Sequence, residues 1–328
     1  MKKAIYFILA FAVLFFMTSC SSDNGSTTFS SPYIGGDNGL KIEFMPNNPP
    51  DEIYDNGNRP FNIVLKVKND GEFKVAKNNI IIKATGFSPS DFGSTASALT
   101  VNSLDTDLEP KSKSQDGTVR PGGETYVTLP RTGNLAYKSS ISGSGELKLP
   151  IGVDVCYLYK SSATTLLCVT ENLLRPSSND VCEVNAEKQV FASSSPVKVS
   201  KVTESATKDK IRVEFEITFN GKGTLIRPNN DRFSSSNCDA ADIDFDKVDY
   251  VYVKVDPENQ WGTIRCNPLN GKSGFVKLYD KTTALVTCEI PISYTLKGNY
   301  VKPLNIDVYY QYKEQLIKEV AIKHVETG

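Results

Sequence analysis

Between Ile211 and Phe219 the chain alternates strictly. Ile211, Val213, Phe215, Ile217 and Phe219 point one way, and Arg212, Glu214, Glu216 and Thr218 the other. A period of two is the repeat of an extended strand, because successive side chains leave opposite faces. One dry face and one wet face require a second layer to cover the dry one. The same pattern recurs in Leu40–Phe44, in Phe61, Ile63, Leu65 and Val67, and in Thr125, Val127 and Leu129. Short apolar runs at Ile80–Ile82, Val248–Lys254, Thr263–Cys266, Gly274–Leu278, Ala284–Ile290, Leu304–Tyr312 and Leu316–Ile322 read as further strands. Leu147 to Lys160 reads as a longer strand interrupted at Pro150 and Gly152, with Thr164 to Thr170 returning beside it. No stretch reads as a long helix; Glu314 to His324 alone is ambiguous. The fold class is therefore all-β, and many short strands with turns between them indicate antiparallel sandwiches.

An internal repeat divides this pattern. Val153-Asp154-Val155-Cys156-Tyr157-Leu158-Tyr159-Lys160 matches Ile306-Asp307-Val308-Tyr309-Tyr310-Gln311-Tyr312-Lys313 at five of eight positions, at an offset of 153 (306 − 153). Pro150 falls on Pro303 at the same offset. Phe61–Gly71 and Ile211–Gly221 correspond more loosely, near an offset of 150 (211 − 61). The repeat, with Pro176, Ser177-Ser178-Asn179-Asp180 and Ser193-Ser194-Ser195-Pro196 between its copies, predicts two tandem Ig-like β-sandwich domains over 39–175 and 196–328, with a linker at 176–195.

The N-terminus predicts an address. Lys2 and Lys3 precede an unbroken apolar run, Ala4 to Met17, and then Thr18-Ser19-Cys20. Fourteen residues (4 to 17) make a helix of about 21 Å, short of the ~30 Å hydrocarbon core and suited to a signal peptide. Residues 1–19 thus read as a lipoprotein signal peptide with Cys20 as the lipid attachment point, resembling the lipobox of bacterial and archaeal lipoproteins with Met17 at the usual leucine position. Residues 20–38, poor in apolar side chains, read as a flexible tether. Lys+Arg 37 against Asp+Glu 38 gives no field of one sign, which argues against a nucleic-acid partner.

The strand ending Lys68-Asn69-Asp70-Gly71 resembles the strand ends of CARDB-like and other Ig-like surface domains. The lipobox, Pro49-Pro50-Asp51-Glu52 and the Cys156-Tyr157-Leu158-Tyr159 motif together resemble uncharacterised lipid-anchored surface proteins of small-genome archaea or bacteria. The resemblance implies a fold and a cell-surface location, with no reaction or cofactor to carry over.

Six cysteines follow Cys20: Cys156, Cys168, Cys182, Cys238, Cys266 and Cys288. An even number in an oxidising compartment predicts disulfides. A hairpin through Ser161-Ser162-Ala163, with Lys160 opposite Thr164, places Cys156 opposite Cys168 and predicts that pair, with Cys182 as the rival partner of Cys168. The chain has one histidine, His324, and no GxSxG, HExxH or phosphate loop, so no catalytic residue is assigned. Asp242, Asp244 and Asp246, with Asp239 and Asp249, alternate as calcium ligands can. Lys247 and Val253 stand where an EF-hand loop needs Gly and Glu, so no metal site is assigned. Tyr157, Tyr159, Tyr310 and Tyr312 lie on one side of their strands, either as a binding face or as core; Val153 and Val155 on the same face favour the core. The expected function is a non-catalytic binding or scaffolding protein, joined to the membrane through its lipid and to other surface proteins or glycans. The alternative is a carbohydrate-active enzyme or its accessory binding module.

Overall fold

The computed structural model describes residues 29–142, 145–170, 182–207, 209–240, 244–292 and 298–324, and Tyr33–Gly328 forms one compact unit. In chain order the strands are β1 (Leu40–Phe44), β2 (Glu52–Tyr54), β3 (Ile63–Asn69), β4 (Ile80–Thr85), β5 (Thr100–Val101), β6 (Ser112–Lys113), β7 (Val119–Arg120), β8 (Glu124–Leu129), β9 (Glu146–Val169) and β10 (Ala186–Lys188). They continue with β11 (Val190–Ala192), β12 (Val197–Ala206), β13 (Lys210–Phe219), β14 (Thr224–Ile226), β15 (Tyr250–Val255), β16 (Arg265–Asn267), β17 (Ser273–Lys277), β18 (Thr283–Pro291) and β19 (Tyr300–Lys323). A short helix, α1 (Ser235–Ala240), precedes β15.

The protein is all-β, as the alternation requires. A three-stranded sheet runs β1-β3-β8, and a five-stranded sheet runs β10-β12-β13-β18-β16. Both show the alternating burial of strands with one covered face: Ile63, Leu65 and Val67 in β3 and Ile211, Val213, Phe215 and Ile217 in β13 are buried. A nine-stranded sheet supplies the other layer, with the path β17-β15-β19-β9-β4-β5. The halves expected over 39–175 and 196–328 are thus joined: β4, β5 and β9 come from the first, β15, β17 and β19 from the second. One hydrophobic cluster runs through both, from Ile63 and Ile80 to Phe215 and Val251.

The join is the antiparallel pairing of β9 with β19, from Val169 opposite Tyr300 to Glu146 opposite Lys323. This corrects the hairpin expected at Ser161-Ser162-Ala163. Those residues sit inside β9, opposite Val308, Asp307 and Ile306, so Lys160 and Thr164 do not face one another. Nothing in Ser-Ser-Ala compels a turn; a β-strand tolerates it once a full-length partner strand lies alongside. Cys156 and Cys168 then belong to one strand, about 40 Å apart along twelve residues, and cannot be bridged. The disulfides are Cys156–Cys238, Cys168–Cys182 and Cys266–Cys288. The stretch Glu314 to His324 is also strand, through Lys323.

The register gives the repeat a physical meaning. Leu158 lies opposite Gln311, its own counterpart in the repeat, so a pseudo-two-fold axis passes between them. Tyr157 faces Tyr312 and Tyr159 faces Tyr310. Asp154 pairs with Lys313 at 3.3 Å, and its counterpart Asp307 pairs with Lys160, also at 3.3 Å. Four of the five identities, the two Asp–Lys and the two Tyr–Tyr sets, are therefore residues that meet across the seam, while Val155 and Val308 face Glu314 and Ser161.

Candidate functional site

The four tyrosines form the centre of the seam and are core, at 0–5 % exposure. Their rings stack edge-on or tilted, Tyr157 on Tyr312 at 5.7 Å and Tyr159 on Tyr310 at 6.0 Å. Burial holds the Tyr157 and Tyr310 hydroxyls far above the ordinary phenol range, so they stay protonated. Each buried hydroxyl needs a partner. On the first half the Phe73 N–H donates to Tyr159 Oη at 3.3 Å, and that hydroxyl donates to Asn69 Oδ1 at 3.2 Å. On the second half the Gly223 N–H donates to Tyr312 Oη at 2.6 Å. Gly71 and Gly221 lie against these same rings. A Cβ on Gly221 would lie 2.6 Å from Tyr312 Oη, and one on Gly71 would meet Tyr159 Oη more closely still. The loose correspondence Phe61–Gly71 with Ile211–Gly221 and the Tyr-x-Tyr-Lys match are two sides of one contact.

Beyond this contact the halves differ. On the first half, Ser161 is 1 % exposed, and the chain's own segments close over it. β11 pairs with β9 at Ala163, Thr164 and Thr165. Glu72 accepts hydrogen bonds from the Ile34, Gly35 and Ser194 amides at 2.7–2.9 Å, and Ser195 Oγ lies 2.6 Å from Tyr310 Oη. On the second half the counterpart of Ser161 is Glu314. It lines two open clefts, one of 450 Å³ shared with β1, Tyr157 and Tyr312, and one of 360 Å³ shared with Asp154 and Gln315. A third, of 660 Å³, lies beside Phe219, Phe245 and Lys277, and Lys222 lines all three. Burial raises the Glu314 carboxyl above the ordinary range, and the Lys222 charge opposes that shift. The other acidic groups of the first cleft are paired: Asp37 with Lys198, Glu43 with Lys41, Asp70 with Lys68 and Lys111. No hydrogen bond or ion pair holds Glu314 among the described residues.

The residues singled out from sequence scatter. Cys20 and Asp242 lie outside the described residues. Asp244 accepts the Asp246 N–H at 3.1 Å and pairs with Lys247 at 3.4 Å, capping a 3₁₀ turn. The Asp249 carbonyl accepts the Leu278 N–H at 2.7 Å. Among the described residues no three metal-ligating side chains gather. His324 Nδ1 lies 2.7 Å from Asp55 Oδ2, a contact that fastens the end of β19 beside β2. Cys156–Cys238 ties β9 to α1, Cys168–Cys182 closes the end of β9, and Cys266–Cys288 joins opposed residues of β16 and β18. Glu314 and Lys222 carry no sequence signal of their own. Aligning the repeat, which sets Glu314 against Ser161, is the one signal that separates them from ordinary surface charges.

Fold and disulfides define an all-β protein of an oxidising, extracytoplasmic compartment. Among the described residues no helix is long and apolar enough to cross a membrane. No family model and no curated protein matches the chain. Among solved structures, a protein of an archaeal virus, described for its triple jelly roll fold and turret assembly, aligns at 9 % identity over 89 % of this chain and 92 % of that one. Its TM-score is 0.12, too low for the likeness to carry an argument.

Proposed function

We propose that this protein is held at the outer face of the membrane by lipid on Cys20 and works there as a non-catalytic binding or scaffolding component of the cell surface. The observation that carries this reading is the contrast at the seam. One end is sealed by the chain itself, while the other presents three adjoining clefts around Lys222 on a disulfide-stapled frame. A rigid frame with an open, polar recess suits recognition, because little ordering entropy is lost on binding. Kinship with CARDB-like and Ig-like surface domains remains part of this proposal. Cross-linking on intact cells followed by mass spectrometry tests it: defined surface partners are expected. A chain released freely into the medium, with an unmodified N-terminus and no cross-linked partner, sinks it.

A second reading, glycan binding, rests on Phe245. Its ring is 81 % exposed on the rim of the 660 Å³ cleft, where a sugar face can stack. Retention on envelope polysaccharide that is lost in Phe245→Ala supports it; equal retention of the variant ends it.

A further inference from the structure

We infer that β19 carries a vacant strand-addition site at Gln315–Glu319, shaped for an extended segment of a protein partner that brings a basic side chain to Glu314. The inference rests on the binding reading above and names the partner's chemistry.

The outer edge of β19, away from β9, is filled on both flanks. β14 (Thr224–Ile226) pairs with Lys313–Gln311, and β2 pairs alongside Ala321–Lys323. The Ala321 N–H donates to the Asp51 carbonyl on this edge, so every second residue back along the strand turns its backbone groups the same way. Those residues are Glu319, Ile317 and Gln315, and their backbone groups have no partner among the described residues. All three are exposed, and Ile317 at 62 % is among the most exposed large apolar side chains. An unpaired edge bounded by strands at either end is a notch of fixed length, and an added strand satisfies it.

The molecule shows what such a notch takes. The pseudo-two-fold counterparts of Gln315 and Ile317 are Ser162 and Thr164 on β9. There the Ser193 N–H donates to the Ser162 carbonyl at 2.8 Å, and Phe191 of β11 pairs with Thr164. The occupant is an extended, antiparallel segment with an apolar residue at its centre. On β19 no described residue fills the equivalent place, and the position that is Ser161 on the first half is Glu314, whose carboxylate has no ion pair among the described residues. Charge complementarity therefore adds a basic residue to the occupant. The register of β14 sets Gly223 beside Glu314, so the occupant begins at Gln315; in an antiparallel pair the residue opposite Ile317 is followed by the one opposite Leu316, and that residue's side chain lies on the Glu314 face. The segment thus reads as an apolar residue followed directly by Lys or Arg.

The test is to pan phage-displayed random twelve-residue peptides on the full mature chain. Enriched peptides should share that spacing and should protect the Gln315 and Ile317 amides from hydrogen exchange. Glu314→Gln should weaken them about tenfold, about 1.4 kcal/mol, and Glu314→Lys should select acidic residues at the same position. No enrichment, peptides without the basic residue, equal binding to Glu314→Gln, or protection elsewhere overturns the inference. So does a chain that already dimerises through this edge and excludes peptide. Surface partners that cross-link normally to Glu314→Lys would leave the binding reading standing while the notch fails.

Discussion

At one end of the seam Ser161 is buried under β11, with residues 34–36 and 193–195 closing the rim. At the other end its counterpart Glu314 opens onto clefts, and among the described residues the strand edge beside it has no partner. Between these ends the repeat is kept where residues see one another across the axis: the tyrosine pairs and the two Asp–Lys bridges. The difference shows which constraint each residue obeys. Each tyrosine packs on a ring of the other copy, and each Asp pairs with a Lys of the other copy, so a change in either copy is felt across the axis. A side chain at the rim answers only to what covers it, and the two rims are covered differently.

The staples offer the strongest way to break this comparison. Cys156–Cys238 closes 82 residues and fastens a first-half strand to a second-half helix, whereas Cys168–Cys182 closes 14 and ties Cys168, near the end of β9, to a residue beyond it. In the chain-entropy model the first contributes about 4.5 kcal/mol and the second about 3. Replacing both cysteines of each pair by alanine, with stability read from urea unfolding, should rank the losses in that order. The reverse order would mean that α1 is held by its packing on Ile226 rather than by the disulfide.

The glycines sharpen the comparison at the next level. A Cβ on Gly71 would lie 2.5 Å from the Asn38 carbonyl and 2.9 Å from that of Ser194, both backbone atoms of the sealing segments. One on Gly221 meets side chains, Phe219 and Tyr312, that border open space. Overpacking costs about 1–3 kcal/mol, depending on whether the neighbours can yield. Gly71→Ala should fall at the upper end of that range and Gly221→Ala at the lower, by the same unfolding measurement. Equal losses would show that the second rim is as rigid as the first.

The smallest expected effect is a pH dependence confined to one end. Burial raises the folded-state pKa of Glu314, so its contribution to stability is fully present below the unfolded carboxylate pKa and is lost as pH rises through the raised folded value. Glu314→Gln should therefore be more stable than the native chain near neutrality, and the gap should close toward pH 4. Unfolding midpoints measured across that range check it. A gap independent of pH would mean that the substitution acts through packing.

Much of the layout was legible in the residues. The alternation from Ile211 to Phe219 requires a strand with one dry face, and the structure buries Ile211, Val213, Phe215 and Ile217. Val153 and Val155 on the tyrosine face point to core rather than to a binding surface, and the rings are buried. An even set of six cysteines indicated disulfides, and three are present. Their connectivity is not legible, because Ser161-Ser162-Ala163 reads locally as a turn, and local propensity cannot see a partner strand that begins at Tyr300, 131 residues after β9 ends at Val169 (300 − 169).

What the sequence determined by itself, then, is periodicity, repeat and composition: properties fixed by neighbours along the chain. The tertiary structure decided that β9 and β19 run side by side and merge two half-layers into one sheet. It decided that Asp154 serves Lys313 rather than its own neighbours, and that one copy of the rim is closed while the other is open. These are consequences of register. Register is set by the summed fit of a whole strand against a distant one, and no short window of residues contains that sum.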